Sequence, residues 1–80
     1  MLDLKQVLGD LVKAIVDDPS QVSITESEGE DGNSVTLELS VAPDDMGKVI
    51  GRHGRIAKAI RTVMKAAANT DGKKVNVEIK

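Results

Sequence analysis

The chain has 80 residues, with 11 lysines and arginines against 13 acids for a net charge of −2, and it contains no cysteine and no aromatic residue. This length supports one small aliphatic core, worth roughly 0.05–0.15 kcal/mol of stability per residue. The missing cysteines exclude disulfide frameworks and thiolate metal sites, and the missing Phe, Tyr and Trp exclude the aromatic stacking platforms of RRM domains and many OB-folds.

The opening MLDLKQVLGD carries Asp3 and interrupts its apolar residues with polar ones, so it does not read as a signal peptide. The longest apolar runs are three residues, such as Ala14 to Val16, and no membrane span is expected. Cytoplasm is the default compartment, and residues 1–80 read as a single domain. Leu4, Val7, Leu8, Leu11 and Ile15 follow helical spacing, broadened by Val12 and Val16. The helix ends at DDPS, because Pro19 blocks propagation and restricts Asp18.

Val22 and Ile24 alternate with Ser23 and Thr25 as a short strand. EGEDGN, residues 28–33, is a turn rich in glycine and Asn. SVTLELSV alternates with Val35, Leu37, Leu39 and Val41 on one face, and pairs with the first strand as a hairpin. Pro43 ends that strand, with Asp44 as the expected N-cap of a short helical segment over 45–50. Gly51 and Gly54 interrupt it. A longer helix follows from Arg55 to about Ala68, with Ile56, Ile60, Val63, Met64 and Ala67 as its expected apolar stripe. NTDG closes it, and KVNVEI is a third strand through Val75, Val77 and Ile79. The order α-β-β-α-α-β predicts a two-layer α+β domain, a three-stranded sheet with helices packed on one face.

Charge is unevenly placed. Met46 to Thr70 holds six basic residues (Lys48, Arg52, Arg55, Lys58, Arg61, Lys65) and no acid, while the remainder carries five basic and thirteen acidic residues. A basic segment on an acidic body reads as an anion-binding face or as a solvated helix face. The glycine pair favours the first reading. A loop without a side chain at either end lets backbone approach a ligand closely, and the positive dipole end of the following helix points at it. Arg52 and His53 occupy the tip, and Lys48 precedes it. Cations strung along a line suit a phosphate backbone better than a lone small anion.

VIGRHGRIAKAI resembles the GXXG signature of KH domains, and the element order resembles the bacterial type II KH topology. The likeness covers essentially the whole chain. LVKAIVDDPSQV and APDDMGKVIGRHGRIAKAIRTVMKAAA resemble the small stand-alone bacterial KH proteins of the KhpA (YlqC) family. The resemblance implies a single-stranded-RNA-binding protein of the bacterial cytoplasm, an RNA chaperone or post-transcriptional regulator, with links to cell elongation and division. Carried over by position, Gly51, Arg52, His53 and Gly54 form the loop that clamps about four nucleotides of backbone. Ile50 and Ile56 help line an aliphatic groove for bases, with plain core as the other reading of Ile50. Lys48, Arg55 and Lys58 flank the backbone track; Arg61 and Lys65 lie further along, on the track or merely solvated. The family also implies pairing, as a homodimer or as a heterodimer with a larger KH-containing protein of the KhpB (Jag, EloR) type. Ala66 to Ala68 suit tight packing on the sheet or an interface.

No enzyme and no cofactor is expected. His53 is the only histidine, and Asp44–Asp45 reads as capping rather than as a metal pair. Gly47-Lys48 is followed by Val49, so no phosphate-binding P-loop is present. A DNA-binding helix-turn-helix is disfavoured by the flanking strands and the second glycine. The alternative is a protein-interaction subunit whose basic helix docks an acidic partner, with little RNA affinity of its own.

Overall fold

The computed structural model describes residues 3–80, so Met1 and Leu2 of the opening segment lie outside the described residues. Helix α1 runs Leu4–Lys13, strand β1 Ser23–Glu28, β2 Ser34–Ser40, helix α2 Met46–Ile50, α3 Arg55–Thr70 and β3 Lys74–Ile79. Short 3-10 turns occupy Pro19–Gln21 and Pro43–Asp45, and Arg52–Gly54 is a tight turn whose backbone is not helical throughout. The order is the expected α-β-β-α-α-β.

Helix α1 begins where Asp3 accepts a hydrogen bond from the Gln6 N–H at 3.3 Å, an N-cap at the first apolar periodic residue. Its buried line is Leu4, Leu8, Val12 and, past the helix end, Val16; Val7, Leu11 and Ile15 are only half-buried beside them. Strands β1 and β2 form an antiparallel hairpin with Ile24 opposite Leu39. The first strand extends beyond the Val22–Thr25 segment to Glu28, because each of its residues finds a partner on β2 even where it has no apolar side chain to bury. At the turn, Asp31 accepts from the Ser34 hydroxyl and from the Asn33 and Ser34 N–H groups. These bonds, the hydroxyl foremost, hold its carboxyl below the ordinary aspartate value.

Strand β3 runs parallel to β2, Leu37 opposite Val77, giving the sheet order β1-β2-β3. A parallel neighbour needs a crossover, and α2, the glycine loop and α3 together form it. Val35, Leu37, Leu39, Val75 and Val77 are buried beneath the helices, with Leu8, Val12, Val49, Ile60, Met64 and Ala68 facing them. The other sheet face carries Thr36, Glu38, Asn76, Glu78 and Lys80, where Lys80 Nζ pairs with Glu38 at 3.0 Å.

The stripe of α3 differs from expectation. The buried residues are Ala57, Ile60, Met64 and Ala68, with Ala67 half-buried, whereas Ile56 and Val63 are exposed at 37% and 47%. Alanine's small side chain lets the helix sit close to the sheet, so Ala57 and Ala68 take core positions and the larger Ile56 and Val63 turn outward. Ala66 is exposed, so only the latter part of the alanine run packs inward.

Candidate nucleic-acid interface

The Gly51–Gly54 loop joins α2 to α3 through three residues of positive φ. Gly51 sits at φ 75°, ψ 175°, His53 at φ 59°, ψ 24°, and Gly54 at φ 72°, ψ 16°. His53 is the only non-glycine in the left-handed region among the described residues. Histidine is among the side chains that tolerate this region best, yet the conformation still carries strain.

The two glycines are required for different reasons. A β-carbon at Gly51 would stand 2.6 Å from Ile56 Cγ1 and 2.9 Å from Ile56 Cβ, so both the backbone angle and the neighbour demand glycine. A β-carbon at Gly54 meets nothing within 4 Å, so that position is set by its backbone angle alone. Gly51 N–H closes α2 onto Gly47 O at 2.8 Å, and Gly54 N–H turns back to Gly51 O at 3.2 Å. The tight turn leaves Arg52 and His53 exposed at its tip, with Arg55 exposed where α3 starts. Gly54, having no side chain, cannot cap α3, so the positive dipole end of a 16-residue helix meets the loop without a capping carboxylate.

Ile50 is 39% exposed, which places it on the surface beside the loop and removes the core reading; Val49 is the buried neighbour. Ile56 covers Gly51 and also lines an apolar hollow of about 270 Å³ between α1 and α3, together with Leu11, Ile15, Ala59 and Val63. Lys58 is exposed one turn into α3.

Two cations of the basic segment, Lys48 and Arg61, are engaged within the fold. Lys48 Nζ donates to Asp17 and lies 4.0 Å from Asp45. The bond to Asp17 raises the Lys48 pKa above its ordinary value, and the charges of Asp17 and Asp45 add to the effect. Arg61 Nε donates to the Val77 carbonyl at 3.2 Å. Lys74 and Lys80 donate their N–H groups across to β2's side, so the carbonyls of Val75, Val77 and Ile79 point to the free edge of β3, and Arg61 closes part of that edge.

Asp45 is 2% exposed, and its role differs from the expected cap. Neither Asp44 nor Asp45 caps α2 with its side chain; Asp44 is exposed. Instead the Asp45 carboxylate reaches across the fold and accepts from the Asp17 N–H at 3.1 Å and the Asp18 N–H at 3.0 Å. It thus pins the start of α2, and with it the loop's approach, to the segment leaving α1. The chain signals only the pieces of this contact: two acid pairs, each beside a proline.

The chain is similar to known proteins over most of its length. The family described as KhpA/KhpB, KH domain, matches residues 5–79. The RNA-binding protein KhpA of Clostridium acetobutylicum is 58% identical over 76 residues, covering 95% of this chain and 99% of its own. That of Clostridium perfringens is 55% identical with the same coverage, and that of Listeria innocua 45% identical. Among solved structures, Era in complex with MgGDPNP and nucleotides 1506–1542 of 16S ribosomal RNA aligns with TM-score 0.67 at 16% identity, over 95% of this chain and 28% of Era. The last likeness concerns the fold alone.

Proposed function

The chain belongs to the KhpA/KhpB KH-domain family, and from that premise we propose that residues 1–80 act as one KH domain that binds single-stranded RNA through the Gly51–Gly54 loop. The observation that carries this reading is the loop itself. Three residues of positive φ, Gly51, His53 and Gly54, bring bare backbone and the exposed Arg52, His53 and Arg55 to the uncapped amino end of α3. That is the chemistry of a phosphate clamp. Exposed Ile50 beside the clamp offers an aliphatic surface to a base, Lys58 continues the cationic track, and Lys48 joins it by exchanging Asp17 for a phosphate.

One domain gripping about four nucleotides binds weakly, with micromolar or weaker affinity, roughly −8 kcal/mol at best. Pairing with a second KH unit, another copy or a KhpB-type protein, raises that by avidity. Exposed Val63 and Ile56, with the half-buried Leu11 and Ile15, form the apolar strip that favours such pairing. In this reading the protein serves the bacterial cytoplasm as an RNA chaperone or post-transcriptional regulator in the control of cell shape. Among the described residues no helix is long and apolar enough to cross a membrane.

The test is a titration of single-stranded RNA, single-stranded DNA and duplex DNA at about 50 and 200 mM salt. Wild type is compared with R52D/H53D, and circular dichroism checks that both are folded. Salt-dependent binding of single-stranded RNA that the folded variant loses is the expected result. Equal binding by both, or by neither, removes the clamp and moves the basic helix to an acidic protein partner.

A further inference from the structure

At the end of α3 remote from the glycine loop, Lys65, Ala66, Asn69, Lys73, Lys74 and Val75 line an open hollow of about 530 Å³ between the helix and the start of β3. We infer that this hollow is a second phosphate-binding site, which takes the backbone of the same RNA strand beyond the nucleotides held by the loop. The inference rests on the RNA-binding reading given above.

Three features carry it. First, Lys65, Lys73 and Lys74 converge on one hollow although they come from different elements, and none pairs with an acid among the described residues. Unneutralised ammonium groups facing one concavity focus positive potential there, even with Asp71 in the adjoining turn. Second, the floor is aliphatic: Ala66 and buried Val75 give a sugar or base edge an apolar surface, and Asn69 supplies an amide on the rim. Third, the neighbouring hollow, which Lys73 also borders, is lined by Asp3, Glu26 and Glu28. Its carboxylates repel a polyanion, so a strand reaching Lys73 is directed to the Lys65 side.

Geometry sets the length of RNA required. From Arg55 to Lys65 the helix rises about 15 Å. At about 3.4 Å per stacked nucleotide, that span takes four to five nucleotides in addition to the clamped ones. Arg61, fixed by its bond to Val77 O, stands one turn before Lys65 on the way. A tetranucleotide fills the loop clamp alone, whereas a strand of about twelve nucleotides reaches both sites.

The experiment measures affinities for single-stranded RNAs of about four and twelve nucleotides, using wild type and the variant K65Q/K73Q/K74Q. The three side chains are exposed, and circular dichroism checks that the variant is folded. The expected result is a loss of about tenfold on the longer strand, with a salt slope shallower by up to about 2, and a change within about twofold on the short strand. Equal losses on both lengths, or no loss on either, overturn the second site while leaving the loop clamp in place. Wild type failing to bind either RNA removes the RNA-binding reading and this inference with it. Displacement of the long strand from wild type, but not from the variant, by an oligoglutamate of matched charge as effectively as by unlabelled RNA assigns the hollow to an acidic protein and also overturns it.

Discussion

Ile56 stands over Gly51 so closely that a β-carbon at position 51 would come within 2.6 Å of its Cγ1. Gly51→Ala therefore combines the cost of alanine at φ 75°, ψ 175°, backbone all but reserved for glycine, with a steric collision, about 2–6 kcal/mol. Gly54→Ala carries the backbone cost alone, about 1–2 kcal/mol. Thermal unfolding is expected to rank them in that order, at about 4–8 °C per kcal/mol for a chain of this size. Adding Ile56→Ala to Gly51→Ala removes Cγ1 and Cδ1 but leaves Cβ at 2.9 Å, so the double variant recovers part of the loss. Equal midpoints for the two alanine variants contradict this packing.

Replacing Asp45 tests the tie between α1 and α2. Asp45→Ala leaves the Asp17 and Asp18 N–H groups without their acceptor, at a cost of about 1–3 kcal/mol. Asp45→Asn is no rescue, because its amide NH₂ then faces one of two N–H donors. Both variants are expected to unfold at lower denaturant concentration, and amide exchange at Asp17 and Asp18 is expected to quicken. An Asn variant as stable as wild type argues against the paired acceptor geometry.

Much of this architecture is legible in the chain. Helical spacing in α1, strict alternation in β2 and the proline boundaries identify elements through local stereochemistry, and the glycine pair marks the loop. The inward face of α3 is only partly legible: Ile60 and Met64 read correctly, but Ala57 and Ala68 compete with Ile56 and Val63 for the remaining positions. Hydrophobicity favours the larger residues, and only the close approach of helix and sheet selects the smaller. The bonds from Asp45 to Asp17 and from Arg61 to Val77 join residues far apart in the chain. No local pattern encodes such partners. His53 in the left-handed region escapes notice too, since histidine occupies many conformations and the flanking glycines draw attention to themselves.

His53 at φ 59° holds a strain that glycine would not. His53→Gly is expected to raise stability by about 0.5–1 kcal/mol, read as a higher thermal midpoint. The same change removes a polar side chain from the loop tip, so RNA affinity is expected to fall as stability rises. A midpoint that drops instead shows that His53 makes a stabilising contact that outweighs its backbone angle.

Two groups contribute to opposite limbs of the pH profile. Lys48 has its pKa raised above 10.5 chiefly by Asp17, so its contribution is complete below that value and disappears as pH climbs through the raised one. Asp31 is held below 3.8 by the Ser34 hydroxyl and neighbouring N–H groups, so its contribution is present above that value and disappears as pH falls through the lowered one. Asp17→Asn is expected to flatten the alkaline limb, with Asp45 keeping a remnant, and Ser34→Ala to flatten the acid limb. Both effects are expected to be small and to shrink with added salt, since the pairs are exposed. Thermal midpoints measured across pH check both.

The parallel pairing of β2 with β3 bears on when the loop acquires its shape. The glycine loop lies within the crossover that joins these two strands, so its flanking helices are packed in place only once a non-local pairing is made. Loop closure of this kind raises contact order and slows folding relative to a helical bundle of equal length. RNA competence should therefore appear in step with the slow closure of the sheet, with no early, partly folded species already able to grip a phosphate.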